Sequence, residues 1–431
     1  MRLHRQRACK PLQQYTPALP RLVSLLEGIV MSDSYDLSAA TASSASCAPR
    51  AADSALAVPP VARIGDTLAQ IATPSLLLDL DAFDANVARM AGAAAARGVA
   101  VRPHAKAHKS VTIAREQIAA GAVGICCQKL TEAVPFANAG IGSIHISNEF
   151  VGEARVALAV ALASRVALSV CVDDVRQVAP LGKAAQRAGV RIAVLPEVDV
   201  GQGRCGVDST DKVARLVEAI DHYEGLRFGG IQAYHGSAQH IEAWARRRDT
   251  ARLAADQAAV CVRFLEARGI VCPVVTGGGT GTAEFDIDSG VYTEIQPGSY
   301  VFFDGHYGAL EWRDDWRFRH GLFLASTVMS TARAGIIVCD AGLKSVATDS
   351  GLPRFWSSQL AGTPRYRTAS DEHGVLELGS PDDDGAAWLG EPILLVPGHC
   401  DPTVNLYDRY VAVRHGRVED LWPIEARGLS Q

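Results

Sequence analysis

From about Thr73 the chain alternates short apolar, β-prone runs with longer stretches of helical period. "TPSLLLDLDAFDANVARMAGAAAARG" opens with a strand-like run. Asp81 then has the side chain to cap a helix that stops at Gly98, since aspartate favours the start of a helix and glycine the position past its end. The strands predicted beyond it are Val99 to Arg102, Val123 to Cys127, Ser143 to Ser147, Val166 to Val172, Arg191 to Val198, Phe228 to Ala233, Val271 to Thr276 and Tyr292 to Gln296. Eight strands separated by helices are what a closed (β/α)8 barrel of the TIM type requires, and an open doubly wound sheet is the alternative. After Gln296 the alternation ends. "LFLASTVMSTARAGIIVCD", "GVLELG" and "PILLVPG" read as strands joined by turns without helices, so an α/β barrel over 67–300 is expected to be followed by a β-rich domain over 301–431.

The first 66 residues break this pattern. They are rich in Ala, Ser, Pro and Arg, and Ser43 to Pro60 reads as a linker, so a disordered extension is expected, or an upstream start with Met31 as the true one. Composition narrows the class. Hydrophobic residues make up 48% and charged residues 21% of 431, which is a folded globular balance. A net charge of −5 without a long basic run offers no footprint for nucleic acid, and no apolar run reaches membrane-spanning length. The ten cysteines lack C-x-x-C spacing, and Cys126 and Cys127 lie inside an apolar run, so reduced thiols and a cytoplasmic location are expected.

Barrel chemistry collects at the C-terminal ends of the strands. The first predicted strand runs into "RPHAKAHKS", which carries His104 and Lys106. The fifth runs into "EVDVGQGRCGV" with Arg204, the sixth into "AYHGSAQH" with Tyr234, His235 and His240, and the seventh into "TGGGTGT", Thr276 to Thr282. Each is weak alone, because lysines at strand ends are usually solvated and glycine turns often only turn. Together, a lysine in a sheltered site, an arginine, a phenol and a glycine turn able to cradle a phosphate suit pyridoxal phosphate, with Lys106 as the amine that forms the Schiff base. "PGHCDPTVN" adds His399 and Asp401, two apart and so on one face of an extended segment. That donor pair suits a divalent ion, Mn²⁺ first and Mg²⁺, Co²⁺ or Zn²⁺ as alternatives; a turn closed by Asp401 before Pro402 is the bland reading.

These motifs, with "EIQPGSYVFFD" and "PGHCDPTVNLYD", resemble the D-threonine aldolase and D-serine dehydratase group, fold-type III pyridoxal phosphate enzymes with an alanine-racemase-like barrel; the resemblance runs from about Thr73 to Gly428. It implies a homodimer and a Ser75 to Leu80 strand joined to the C-terminal β domain. It also implies Lys106 as the Schiff-base lysine, Arg204 near the cofactor's phenolic oxygen and Tyr234 near its pyridine nitrogen. Gly278, Gly279 and Thr280 would lie at its phosphate, and His399 and Asp401 would bind the metal. Dehydratase members carry cysteine where this chain has Asp401, so the resemblance favours an aldolase that cleaves a D-3-hydroxy amino acid, of the D-threonine or D-3-hydroxyaspartate type, to glycine and an aldehyde. Metal-bound hydroxide, His104 and His235 are the candidate proton acceptors. A dehydratase, a racemase and a non-catalytic cofactor carrier are the rival readings.

Overall fold

The computed structural model describes residues 57–431, and its compact body runs from Pro59 to Gln431. Most of the extension expected over 1–66 therefore lies outside the described residues. Its last part belongs to the body: Ala62 is buried with Ile71, Leu77, Phe323 and Val411, and the Gly65 amide donates to the Val418 carbonyl. The apolar side chains there cover a sheet face that water would otherwise wet.

β1 (Ser75–Asp79) is followed by the helix Leu80–Ala95, capped by Asp79 and not by Asp81: the Asp79 carboxylate accepts from the Ala82 amide at 2.9 Å. Asp79 is still extended, as a capping residue must be, whereas Asp81 already lies in the first turn. The barrel strands are β2 (Ala100–Val101), β3 (Ile125–Cys127), β4 (Ser143–Ile146), β5 (Ala167–Val172), β6 (Ile192–Pro196), β7 (Leu226–Phe228), β8 (Ile231–Ala233), β9 (Val275–Gly277) and β10 (Glu294–Ile295). All pairings are parallel and fall into two ladders, β3-β4-β5-β6-β7 and β2-β10-β9-β8. Single bridges His104 to Cys126 and Glu197 to Gln232 join the ladders at both edges, so the sheet closes.

β7 and β8 are one barrel strand broken at Gly229 and Gly230, its first half paired with β6 and its second with β9. Gly230 has φ +124°, and a Cβ there would lie 2.0 Å from the Val274 carbonyl oxygen, so only glycine permits this crossing. All eight predicted strands hold a barrel strand. The seventh begins later than the apolar run, at Val275, because Pro273 lacks an N–H and Val271 is exposed.

The C-terminal part, joined by β1, forms a second, nine-stranded sheet. It contains β11 (Leu322–Arg333), β12 (Ile336–Cys339), β13 (Arg354–Ser357), β14 (Arg365–Ala369), β15 (Gly374–Glu377), β16 (Pro392–Val396), β17 (Arg409–Arg414) and β18 (Arg417–Pro423). Its order is β14-β15-β12-β11-β1-β17-β18, with β16 pairing β11 and β13. β1 thus lies between β11, antiparallel, and β17, parallel, and ties the start of the described body to its end. The segment after β16 is not extended as expected: Cys400–Val404 is a short helix with His399 as its first flanking residue. No helix of the described residues is long and apolar enough to cross a membrane.

Candidate active site

The inside of the barrel is polar where the strand runs suggested only apolar packing. Arg102 donates through Nε to Glu294 at 2.9 Å, and Thr276 Oγ1 donates to the other Glu294 oxygen at 2.8 Å. Gln296 Nε2 donates to Thr276 Oγ1 and to Gln232 Oε1. His145 Nε2 lies 2.9 Å from that same Oε1, and Gln232 Nε2 donates to Glu197 at 2.8 Å. Arg102, Glu294, Thr276, Gln296, Gln232 and His145 thus each have a partner in one connected network, which runs from the barrel floor to Glu197 at its rim. At the rim, burial and the neighbouring Glu149 hold the Glu197 carboxyl above the usual carboxylate range, although Arg204 comes within 3.9 Å. Burial prevails because the Arg204 side chain is nearly half exposed and Glu197 is not.

Lys106 sits in the tight turn Ala105–Ala107 directly after β2. His104 holds that turn. Its Nδ1 accepts from the Lys106 amide at 3.3 Å and its Nε2 pairs with Ser147 Oγ at 2.9 Å, so both ring nitrogens are engaged, and burial with the charge of Lys106 keeps the ring neutral. Behind the turn, Lys109, at φ +53°, makes a buried ion pair with Glu132 at 2.7 Å. The other Glu132 oxygen accepts from the Gln128 and Lys129 amides. Burial disfavours charge on Lys106, but Tyr234 and Asp401 outweigh it and raise the amine's pKa. Shelter alone does not neutralise this lysine in the free chain, contrary to the simplest reading of its position. The Arg204 guanidinium lies 5.6 Å from the centre of the Tyr234 ring, on the same rim.

The glycine turn is built before any ligand arrives. Gln239, buried, accepts through Oε1 from the Gly281 and Thr282 amides at 3.0 and 3.2 Å and donates to Thr282 Oγ1 at 2.8 Å. A Cβ on Gly279 would lie 2.6 Å from that Oε1, so a side chain there would displace the group that shapes the loop. Thr280 is buried, and its hydroxyl has no protein partner. A buried hydroxyl without a partner beside glycines is what a bound phosphate would satisfy.

His399 and Asp401 project from the start of the short helix. His399 Nδ1 is 2.7 Å from Asp349 Oδ2, with Ser350 Oγ at 3.3 Å. A carboxylate on one imidazole nitrogen fixes the tautomer and leaves the Nε2 lone pair for a metal, which is how metal-binding histidines are usually oriented. Asp401 Oδ1 takes hydrogen bonds from Ser299 Oγ and Cys400 Sγ, both at 3.3 Å. An imidazole and a carboxylate so prepared fit a divalent ion.

The two histidines after β8 separate. His235 accepts from the Ala238 amide and approaches the Gly201 turn, and Asp199 is its charged neighbour. His240 is within electrostatic reach of His399, Asp401 and Lys106, and its ring stacks on His306 with centroids 4.2 Å apart. Burial, followed by His306 and His399, pushes His240 down to about 4, so it is a neutral base. Sequence reasoning named His240 without giving it a role and missed His306 and Asp349, which arrive from loops after the barrel.

The alanine racemase N-terminal domain model matches residues 78–305, more than half the chain, and a putative serine dehydratase domain model matches 321–413. A D-threonine aldolase of Arthrobacter sp. is 49% identical over 380 residues, covering 87% of this chain and 98% of the relative. The chain belongs to the D-threonine aldolase and D-serine dehydratase group of fold-type III enzymes. A 3-hydroxy-D-aspartate aldolase of Paracoccus denitrificans, another relative of this group, is 41% identical over 83% of this chain and 93% of its own length. The crystal structure of D-threonine aldolase from Filomicrobium marinum superposes with a TM-score of 0.83 at 43% identity, over 86% of this chain and all of that one. Pyridoxal phosphate is the cofactor of fold-type III enzymes. Lys106 and the turn around Thr280 fit it: one offers an amine, and the other a buried, unpartnered hydroxyl among glycines.

Proposed function

We propose that this chain is a pyridoxal phosphate- and divalent-metal-dependent aldolase that cleaves D-3-hydroxy amino acids, of the D-threonine or D-3-hydroxyaspartate type, to glycine and an aldehyde. One observation carries the reading: the ring of His240 lies within electrostatic reach of Lys106, His399 and Asp401, and the amine of Lys106 within reach of Asp401, at a single barrel mouth. The cofactor, held by Lys106, Arg204, Tyr234, Gly278, Gly279 and Thr280, supplies the electron sink for the Cα–Cβ bond. A metal at His399 and Asp401, Mn²⁺ by its donor set, supplies a positive charge that acidifies the substrate hydroxyl.

The chain's own residues do the rest. His104, with both nitrogens bonded, orients the Lys106 turn and is not free to take a proton. His240, neutral and within electrostatic reach of the metal pair, is better placed than His235 to accept the β-hydroxyl proton on a ring nitrogen, which lowers the barrier to forming the aldehyde. Tyr234 would face the cofactor's pyridine nitrogen with a phenol in place of a carboxylate, so the surrounding dipoles would share in stabilising developing negative charge. A homodimer in the cytoplasm completes the reading. The eight described cysteines are all unpaired, in keeping with a reducing compartment.

Incubation with D-threonine tests it: acetaldehyde and glycine are expected, with activity lost on chelation and regained with Mn²⁺. An oxo acid and ammonia would establish the dehydratase instead, and turnover indifferent to chelation would remove the metal.

A further inference from the structure

We propose that the turn 304–307 is the positioning element of the metal centre. Asp304 clamps the segment that carries His399 and Asp401, and His306 sets the ring of His240. The inference rests on the metal and proton-acceptor roles proposed above.

Asp304 is fully buried and accepts on both carboxylate oxygens. Oδ1 takes the Tyr307 amide at 3.0 Å, and Oδ2 takes the Cys400 amide at 2.8 Å, between the two metal-binding residues. Two backbone bonds run alongside: the Gly305 amide donates to the Pro397 carbonyl at 2.9 Å and the His306 amide to the Gly398 carbonyl at 3.0 Å. The metal-bearing segment is therefore strapped along its whole approach to His399. On its other side a Cβ on Gly398 would lie 2.2 Å from the Gly351 carbonyl oxygen, and the 349–350 stretch delivers Asp349 to His399. From the same turn His306 stacks on His240 with ring planes 16° apart, and the Tyr307 ring lies 5.1 Å from His240. Stacking fixes the plane of an imidazole without occupying its nitrogens, which a proton acceptor needs free. One buried carboxylate thus sets the metal ligands, and the histidine two residues later sets the base.

An amide cannot replace that carboxylate. Asparagine offers a single oxygen, and its NH₂ would face the Cys400 N–H or the Tyr307 N–H. In the cofactor-loaded full chain, Asp304→Asn is expected to weaken Mn²⁺ binding by about 10- to 100-fold in calorimetric titration, with the visible absorbance of the lysine-bound cofactor unchanged. His306→Ala breaks none of the Asp304 bonds. It should keep parental Mn²⁺ affinity and KM for D-threonine while kcat falls by about fivefold, and His306→Phe, which restores the stack, should recover kcat. Parental Mn²⁺ affinity in Asp304→Asn overturns the clamp, and an unchanged kcat in His306→Ala, or no recovery in His306→Phe, overturns the stack. A parent chain that binds no Mn²⁺ overturns the metal reading itself, and the clamp with it.

Discussion

Thr280→Val separates cofactor binding from folding at one atom. The substitution keeps the shape of the side chain and removes its buried, partnerless hydroxyl. In the free chain that hydroxyl contributes no hydrogen bond to stability, and an unmet buried donor costs about 1–3 kcal/mol, so its replacement by a methyl group should not lower stability. With a phosphate against the glycine turn, the same hydroxyl gains a charge-assisted bond worth about 1.5–3 kcal/mol. Losing that bond raises the cofactor's dissociation constant by roughly 10- to 100-fold. The assay has two arms. The thermal midpoint of the cofactor-stripped variant should match or exceed that of the stripped parent, and titration of pyridoxal phosphate, followed by its visible absorbance, should show the weaker binding. Affinity within about twofold of the parent would refute the placement of the phosphate at Thr280, because less than 0.5 kcal/mol is too little for such a bond.

Three further outcomes follow from geometry. Glu132→Gln leaves the Lys109 ammonium buried without a counter-charge, a loss of about 3–5 kcal/mol. With an unfolding entropy near 0.8 kcal/mol/K for this body, the melting temperature should fall by roughly 4–6 °C. The double variant Lys109→Met with Glu132→Gln should recover most of it in calorimetry, since the glutamine oxygen can still accept from the Gln128 and Lys129 amides; no recovery would mean that the charge is not the cause. Gly230→Ala, with its Cβ 2.0 Å from a carbonyl oxygen at φ +124°, should lose roughly 3–6 kcal/mol, and an unchanged urea midpoint would refute the close crossing. Burial pushes Asp286 from 3.8 to about 7 against hydrogen bonds from Thr282 and Gly279. The native state therefore holds this proton more tightly than the unfolded chain, and the stability it contributes is complete below about pH 3.8 and lost as pH rises through about 7. Relative to Asp286→Asn, the stripped parent should lose urea stability across that window, and a constant difference would refute the shift.

The parts legible in the sequence are those whose cause is local. An apolar run bounded by glycine or proline is a strand whatever lies around it, so each predicted run met a barrel strand, while β7 (Leu226–Phe228) begins ahead of its run because Gly229 and Gly230 break that strand in two. Lys106, Tyr234 and the glycine turn were found in this way. The helix at Cys400–Val404 was not, because what starts it is the carboxylate of Asp304, 96 residues earlier, taking the Cys400 amide. Spacing by two on an extended segment had suggested His399 and Asp401 as a metal pair; the structure places them at the start of a short helix instead. The same holds inside the barrel. Arg102, His145, Gln232, Glu294 and Gln296 read one at a time as polar interruptions of apolar strands, and become a network only when strands up to about 190 residues apart in sequence are brought side by side. His240 shows the consequence for function. Its sequence neighbours do not distinguish it from His235, five residues away, and the difference in surroundings comes from His306 and His399, which the fold carries in from beyond the barrel. In this fold the residues proposed to carry the cofactor follow from strand ends, while those proposed to choose the reaction depend on contacts between the barrel and the segments that follow it.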